Sequence, residues 1–209
     1  AAGCVWPWGR RPSAEPRRVE LGRSVQGRPI TALVFDGTAG TVLVLGGIHG
    51  DETASIALVE LLARRLEAEP SARAGRQVVL IPCVNPDGRA ARTRANARGV
   101  DLNRNFAAAN FRPSALHGPH PLSEPETRAL QDALDRYRPS CVLSIHTPLG
   151  CVDPDGGSRS TALARDMANL GPLPVRDLPA MPGSLGSYAG NRLGMTMVTY
   201  ELDRRAGPA

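Results

Sequence analysis

Two side chains that can bind a metal ion lie three residues apart, where a strand pattern gives way to a helix pattern. His49 and Glu52 follow the apolar run at 41–45 and sit at the start of a helical pattern. An imidazole and a carboxylate at this spacing can converge on one ion as the chain turns into the helix. Catalytic zinc sites use three such nitrogen and oxygen ligands and leave a fourth position for water. Because H-x-x-E alone is common, this prediction depends on residues elsewhere in the chain.

Two further strand patterns end in residues of the same chemistry. The apolar run at 140–146 ends in His146, and the run at 198–201 ends in Glu201. Open α/β sheets place their binding sites at the carboxyl ends of the strands. Taken alone, His146 is equally typical of a core histidine bonded to the backbone, and Glu201 of a surface charge at a strand end. Together with His49 they indicate a metal site with a carboxylate beside it.

The elements that must position these residues alternate between strands and helices. The predicted strands cover residues 30–35, 41–45, 77–84, 140–146 and 195–202. The predicted helices cover residues 51–67 and 159–170, with a third helix that opens at Ser123 as its N-cap. This alternation predicts an α/β fold, a three-layer α/β/α sandwich around a mixed, largely parallel sheet. The long connection from Arg89 to Pro121 is typical of either a functional or a disordered segment.

The length and composition predict one catalytic domain behind a short lead-in. A chain of 209 residues can bury a proper core. Residues 1–18 are rich in Pro, Arg and Gly and predict a flexible lead-in, which leaves residues 19–209 as the domain. The opening Ala-Ala-Gly-Cys resembles the end of a bacterial lipoprotein signal, in which Cys4 would be lipidated. A chance cysteine in an irregular N-terminal segment fits these four residues equally well, so the sequence allows either a cytoplasmic or a periplasmic location in a bacterium.

The charge pattern restricts the class of partner. The net charge is +5, and all 25 basic residues are arginines scattered along the chain. Nucleic-acid binding calls for a basic stripe with stacking aromatic residues, so we predict no nucleic-acid partner. A small anionic substrate suits the arginines better. No run of 18 apolar residues is present, so we predict no transmembrane segment. The sequence indicates no particular oligomeric state.

Six motifs resemble those of the zinc carboxypeptidase family, and they occur in family order from about residue 20 to residue 202. They are GRSVQGRPI at 22–30, HGDE at 49–52, NPDG at 85–88, GVDLNRNF at 99–106, SIH at 144–146 and TYEL at 199–202. The resemblance implies the family's fold and one zinc ion per chain, bound by His49, Glu52 and His146. It also implies that Glu201 is the general base.

The resemblance implies further roles around the metal. Asp101 matches the carboxylate that orients the first zinc histidine. Asn103 and Arg104 match the pair that binds the terminal carboxylate of the substrate, an anion that the guanidinium fork fits. Arg94 most resembles the arginine that stabilises the oxyanion, with Arg92 as the alternative in the same segment.

One segment departs from the family pattern. The best-known carboxypeptidases carry a tyrosine a few residues before a Gly-Ser pair, over the substrate, but residues 177–184 contain no tyrosine. We expect Ser184 and Tyr188 to contribute to the substrate pocket instead. His117 and His120 stand beside prolines and are expected at the surface.

Within the family, the resemblance is closest to the bacterial murein peptide amidases. It is carried by TRANARG at 93–99, SEPET at 123–127 and HTPLGC at 146–151. It implies cleavage of the bond between the γ-carboxyl of D-glutamate and meso-diaminopimelate in a murein tripeptide or a similar substrate. Three alternatives stay open: a carboxypeptidase acting on ordinary peptide C-termini, an acyl-amino-acid deacylase, and an inactive domain that binds peptidoglycan peptides. Deacylases generally lack the run at 101–105, and an inactive domain would be expected to have lost a ligand or the base.

Overall fold

A mixed sheet forms the middle layer of the protein. The computed structural model describes residues 14–205. Within them the strands are β1 (Arg17–Arg23), β2 (Pro29–Phe35), β3 (Thr41–Leu45), β4 (Gln77–Ile81), β5 (Cys141–His146), β6 (Leu149–Pro154) and β7 (Thr196–Asp203). They lie in the order β1-β2-β4-β3-β5-β7-β6. The four central strands pair in parallel, and the outer pairings are antiparallel.

Helices cover both faces of this sheet. They are α1 (Thr53–Ala68), α2 (Pro86–Ala91), α3 (Pro125–Tyr137) and α4 (Ser158–Leu170). Leu130 and Leu134 of α3 pack into the core on one face, whereas Val59 of α1 and Ala164 of α4 are buried against the other face. This arrangement confirms the predicted three-layer α/β class. Among the described helices, none has the length and apolar composition needed to cross a bilayer.

The buried central strands divide their side chains between the two cores. Leu43 and Leu45 of β3 belong to the core under α3, whereas Val44 between them belongs to the core under α1. Side chains alternate between the faces of a strand, so a strand covered on both sides reads as a continuous apolar run. The same reason explains why the sequence predicted β3 with its observed bounds.

The structure departs from the predicted elements in several places. Helix α3 has Glu124 as its N-cap, so the prediction of Ser123 in that position was wrong; the Ser123 hydroxyl donates instead to the Glu124 side chain, 2.8 Å away. Strand β1 begins at Arg17, two residues before the predicted domain boundary. The rest of the predicted lead-in up to residue 13, including Cys4, lies outside the described residues.

The side-chain amide of Asn105 joins several parts of the long connection after α2. Asn105 is fully buried, and its Nδ2 donates to the carbonyls of His117 and His120 and to the Ser123 hydroxyl. Its Oδ1 accepts from the Thr127 hydroxyl of α3 at 2.8 Å. These bonds tie Asn105 to the carboxyl-terminal part of the connection and to α3, and so they hold the residues just before Asn105 in place. His120 is exposed and His117 is partly exposed, as predicted.

Candidate active site

Parallel strand ends bring the predicted ligands to one edge of the sheet. His146 is the last residue of β5 and is the register partner of Glu201 on β7. His49 follows the end of the neighbouring strand β3 in a tight turn before α1. A Cβ added at Gly50 in that turn would lie 2.0 Å from the backbone carbonyl carbon of Gly88, so glycine is required there. The turn therefore brings His49 to the strand end that holds His146.

Three buried side chains converge at this edge. One ligand atom each from His49, Glu52 and His146 lie within 4.8 Å of one another. The two oxygens of Glu52 lie 2.6 Å from Nδ1 of His49 and 3.1 Å from Nδ1 of His146. Two imidazole nitrogens and a carboxylate are a common donor set for catalytic zinc. The group fits a single zinc ion.

The far nitrogen of each histidine is held by another side chain. Nε2 of His49 lies 3.1 Å from Oδ1 of Asp101, and Nε2 of His146 lies 3.0 Å from the Ser144 hydroxyl. Such contacts set the orientation of a ligating imidazole and leave its other nitrogen for the metal. Asp101 in turn accepts from Nε of Arg94 at 3.0 Å. The contacts thus leave Nδ1 of both histidines directed towards Glu52.

The electrostatic environment keeps the buried carboxylates ionised. Burial raises the pKa of Glu52, but its hydrogen bonds with His146 and His49 outweigh burial and lower the pKa to about 2. Burial also raises the pKa of Asp101, while the hydrogen bond with His49 and the charges of nearby arginines outweigh it and hold that pKa below its usual range. Metal ligands must be deprotonated, so this environment suits a cation.

A cavity of about 390 Å³ opens beside these residues. The predicted site residues that line it are His49, Glu52, Arg94, Asn103, Arg104, His146, Ser184 and Glu201. Asp101 stands behind His49 and is itself buried. The predicted site residues come from distant parts of the chain, and the fold brings them to the wall of the same cavity.

The carboxylate of Glu201 is mostly buried at this wall. The residue is 9% exposed, and its Oε2 accepts from the Leu149 N–H at 3.3 Å. Within residues 14–205, no carboxylate lies within salt-bridge distance of half-buried Arg104, whose Nη1 donates to the Asn103 carbonyl. The Asn103 side-chain oxygen accepts from the Leu185 N–H at 2.9 Å. An arginine and an oriented amide are therefore left facing the cavity.

Two residues that the sequence analysis named for roles in the site, Tyr188 and Arg92, lie away from this wall. The Tyr188 side chain was expected to line the pocket, but it is 7% exposed and stacks on Phe106, with ring centroids 6.1 Å apart. It fills the core under α3 because the segment Gly186–Arg192 turns its ring inwards. Arg92 is exposed at the end of α2 with a positive φ of 55°, whereas Arg94 lines the cavity.

Two acidic residues of the wall were not predicted. Asp153 and Asp155 lie at the end of β6 and line the same cavity. Sequence reasoning missed them because the glycine and proline of Leu149–Pro154 are unusual in a strand. Their alternation with the buried Val152 and with Pro154 was the signal that could have placed them beside β7.

Comparison with known proteins agrees with this geometry. The model of the zinc carboxypeptidase family matches residues 11–149. The chain therefore belongs to the zinc carboxypeptidase family and is a peptide hydrolase, which confirms the family and the metal predicted from the motifs.

Its relatives include murein peptide amidases. Murein peptide amidase A of Escherichia coli strain K12 is 37% identical over 218 residues, which cover 92% of this chain and 86% of that protein. The crystal structure of murein-tripeptide amidase MpaA from Escherichia coli O157 matches with a TM-score of 0.73 at 35% identity, over 93% of this chain and 88% of that one. Carboxypeptidase A from Helicoverpa armigera shares the fold, with a TM-score of 0.79 at 22% identity over 93% of this chain and 61% of its own.

Proposed function

We propose that this protein is a zinc-dependent amidase that hydrolyses the bond between the γ-carboxyl of D-glutamate and meso-diaminopimelate in murein peptides. The observation that carries the proposal is the meeting of His49, Glu52 and His146 with Glu201 at one cavity. The choice of bond rests on the relatives, because murein peptide amidases align with 92% of the chain.

The residues around the metal divide the hydrolysis between them. His49, Glu52 and His146 would hold the zinc ion. The chemistry that a zinc ion supplies at such a site is polarisation of the scissile carbonyl and acidification of a water molecule. Glu201 would take the proton of the attacking water and deliver it to the leaving amine. The Leu149 N–H fixes one oxygen of Glu201 and leaves the other free for that transfer.

The cavity side chains would bind the rest of the substrate. Arg104 and Asn103 would bind its terminal carboxylate, since Arg104 has no carboxylate partner within the described part of the chain. Nε of Arg94 is fixed by Asp101, and its Nη1 lies 3.5 Å from Glu52, which leaves Nη2 to stabilise the oxyanion. The Ser184 oxygen accepts from the Ser187 N–H, so its hydroxyl proton is free to donate to substrate.

The partner and the location follow from the same proposal. The substrate is a small anionic peptide, a murein tripeptide or similar, whose carboxylates complement Arg94 and Arg104. The murein peptide amidases that align with the chain come from bacteria. We place the enzyme in a bacterium, in the cytoplasm or the periplasm, where such peptides are recycled or the wall is remodelled.

Hydrolysis of L-Ala-γ-D-Glu-meso-diaminopimelate by the zinc-loaded protein tests the proposal. We expect release of free diaminopimelate by the wild type and a loss of about 10²–10⁴ in kcat for Glu201→Gln, the usual contribution of a general base. Glu67→Gln, an exposed glutamate of α1, is the matched control and should keep wild-type activity.

Other substrates separate the alternatives. Turnover of ordinary C-terminal peptides alone would replace the proposed bond with that of an ordinary carboxypeptidase and keep the mechanism. Turnover of acyl-amino acids alone would indicate a deacylase. No turnover with zinc verified at one per chain would contradict the enzymatic proposal and indicate a domain that binds peptidoglycan peptides.

A further inference from the structure

Asn96 carries a buried side-chain amide close to the site. The residue is 4% exposed and is not among those that line the cavity. Its Nδ2 donates to Oε2 of Glu124 at 2.8 Å and to Oε2 of Glu126 at 3.2 Å. Its Oδ1 accepts from the N–H groups of Arg98 and Val100 at 3.0 Å and 3.1 Å. The amide therefore bonds to its own segment on one side and to the start of α3 on the other.

The same residue closes a turn between two residues of the site. The Asn96 N–H donates to the Val100 carbonyl at 2.9 Å, and the Asn96 carbonyl accepts from the Gly99 N–H at 3.0 Å. Gly99 has a φ of 79°, a left-handed conformation that glycine adopts without strain. Arg94 precedes this turn and Asp101 directly follows it, and Nε of Arg94 lies 3.0 Å from Oδ2 of Asp101. The turn at 96–100 thus sets how these two side chains approach each other.

Two buried carboxylates at the start of α3 hold this turn from outside. Glu124 is the N-cap of α3 and is 2% exposed, and Glu126 in the first turn is fully buried. Oε1 of Glu124 accepts from the Ser123 hydroxyl at 2.8 Å, and Oε1 of Glu126 accepts from the Val25 N–H at 3.1 Å. Nη1 of Arg98 also lies 3.5 Å from Oε2 of Glu124. Hydrogen bonds to charged acceptors are stronger than those to neutral ones, so the turn is anchored to groups that are themselves fixed.

The backbone of Arg94 is held from the side of the metal cluster. Its carbonyl accepts from the Gly50 N–H and from Nδ2 of Asn85, each at 3.3 Å. Gly50 directly follows His49, so this contact ties the Arg94 segment to the turn that carries a predicted ligand. The Arg94 side chain itself is 47% exposed, and packing alone does not fix its direction. That direction depends on the backbone on both sides of Arg94 and on the contact with Asp101.

We propose that Asn96 is a positioning residue that holds Asp101 and Arg94 in place at the metal site. It does so by fixing the turn at 96–100 to α3. An amide suits this position because it donates to two carboxylates and accepts from two N–H groups at once. The action through Arg94 rests on the proposed function, which assigns the oxyanion to that residue. The action through Asp101 rests only on its contact with His49.

Zinc affinity tests the action through Asp101 without any substrate. Asn96→Ala should weaken zinc binding by about tenfold, the lower end of the range for residues that orient metal ligands. In Asp101→Asn, where the hold on His49 is already weak, the same change should weaken binding by less than about threefold further, because residues that act through one contact are not additive. Competition with a chromophoric chelator measures these affinities. Asn169→Ala, which changes an exposed asparagine of α4, is the control and should bind zinc like the wild type.

Hydrolysis with zinc verified at one per chain tests the action through Arg94. Asn96→Ala should lower kcat by about tenfold or more and change KM by less than about threefold, because a misplaced guanidinium loses stabilisation of the transition state. In Arg94→Ala the same change should lower kcat by less than about threefold further. A loss of stability alone would leave the kcat of the folded enzyme unchanged. Asn169→Ala should keep the wild-type kcat.

Gly99→Ala provides the same test if Asn96→Ala does not fold. A Cβ at Gly99 would meet nothing within 4 Å, so the change only strains the left-handed backbone of the turn. Gly194→Ala is the matched control: its φ is 64°, its Cβ would also meet nothing within 4 Å, and it precedes β7 at the end of the sheet opposite the site. We expect Gly99→Ala to weaken zinc binding and to lower kcat, each by about threefold or more, and Gly194→Ala to change neither.

Failure of this inference and failure of the proposed function give different results. Wild-type zinc affinity in Asn96→Ala and Gly99→Ala, or an equal loss of affinity with and without Asp101→Asn, would overturn the inference. So would an equal fall in kcat with and without Arg94→Ala. Turnover of ordinary peptides alone would overturn the γ-D-glutamyl bond, and the kcat comparison would then use those peptides. With no turnover at all, the proposed function fails and the zinc comparison alone decides the inference.

Discussion

Glu52 is the residue at which separate parts of the chain meet. It stands at the start of α1, and its two oxygens contact both histidines of the cluster. The Thr147 N–H also donates to it at 3.1 Å, and Nη1 of Arg94 lies 3.5 Å away. A buried carboxylate with this many donors stays ionised, which explains the depression of its pKa. At the scale of single residues, the ionised state of Glu52 therefore depends on short contacts with neighbouring side chains and with the backbone.

Asp101 should control metal affinity through His49. Asp101→Asn keeps the size of the side chain but weakens its hold on Nε2 of His49, so we expect zinc affinity to fall by about 10–100-fold. Competition with a chromophoric chelator measures this affinity. Asp51→Asn, an exposed carboxylate beside the same turn, is the control and should bind zinc like the wild type. Equal affinities for Asp101→Asn and the wild type would remove its proposed role.

Asp155 should make the folded protein less stable as the pH rises. Its pKa is about 7 in the folded protein against 3.8 as a free side chain, so the folded state holds a proton that the unfolded state has lost. The free energy of unfolding therefore falls as the pH rises from about 4 to about 7. Asp155→Asn should be more stable than the wild type at pH 8, on the order of 2 kcal/mol, with little difference at pH 4.

Urea denaturation of the metal-free proteins at both pH values measures this difference. Asp166→Asn is the control, since its exposed carboxylate should show no comparable change. A variant that is less stable than the wild type at pH 8 would contradict the assignment of an uncompensated charge at Asp155.

The elements show which parts of the fold local sequence can predict. Strand β3 reads as a continuous apolar run because both faces are buried, and its observed bounds match the prediction. Strand β6 is an edge strand that pairs only through β7 among the named strands and contains a glycine and a proline, so its sequence resembles a loop. Local sequence patterns predict a strand such as β3, because burial on both faces makes its sequence apolar. They miss a strand such as β6, which forms because β7 is available for it to pair with.

Asn105 should be required for the order of the connection between α2 and α3. Its amide bonds to two carbonyls and a hydroxyl on one side and to Thr127 of α3 on the other. Asn105→Ala leaves those buried groups without partners, and we expect a loss of about 2–4 kcal/mol in the free energy of unfolding. Urea denaturation measures the loss, and Asn169→Ala on the exposed end of α4 should change it little.

Hydrogen exchange separates a local effect from a global one. If Asn105 orders the connection, amides between residues 106 and 122 should lose protection in Asn105→Ala even where the rest of the sheet keeps it. Unchanged protection there would contradict the role we assign to this side chain.

At the scale of the whole molecule, the metal should stabilise the fold. The three ligands come from two segments that are separated by 94 residues between Glu52 and His146, so they converge only in the folded chain. A ligand that binds the folded state alone adds about 2.7 kcal/mol at a concentration 100 times its Kd. We expect zinc to raise the melting temperature and a chelator to reverse the rise.

Two histidine variants check that this stabilisation comes from the cluster. His49→Ala should abolish the response to zinc, whereas His117→Ala, which removes a histidine of the long connection, should retain it. A zinc response that survives in His49→Ala would place the metal elsewhere.

The sequence by itself determined the α/β class, the zinc family and the order of the chemical motifs. These follow from residue types and short spacings: apolar runs that become buried strands, and a histidine or glutamate at the end of each. His49, Glu52, His146 and Glu201 could therefore be named before the strands were assembled, because strand ends in a parallel sheet meet at one edge.

Only the tertiary structure decided what surrounds those residues. Tyr188 packs on Phe106 instead of facing the cavity, and Asp153 meets Thr199 across two strands that are far apart in sequence. Neither contact has a local pattern, since each depends on strand order and register between segments that fold onto each other. The physical reason is that chemical identity is carried by single residues, whereas the environment of a side chain is set by long-range packing.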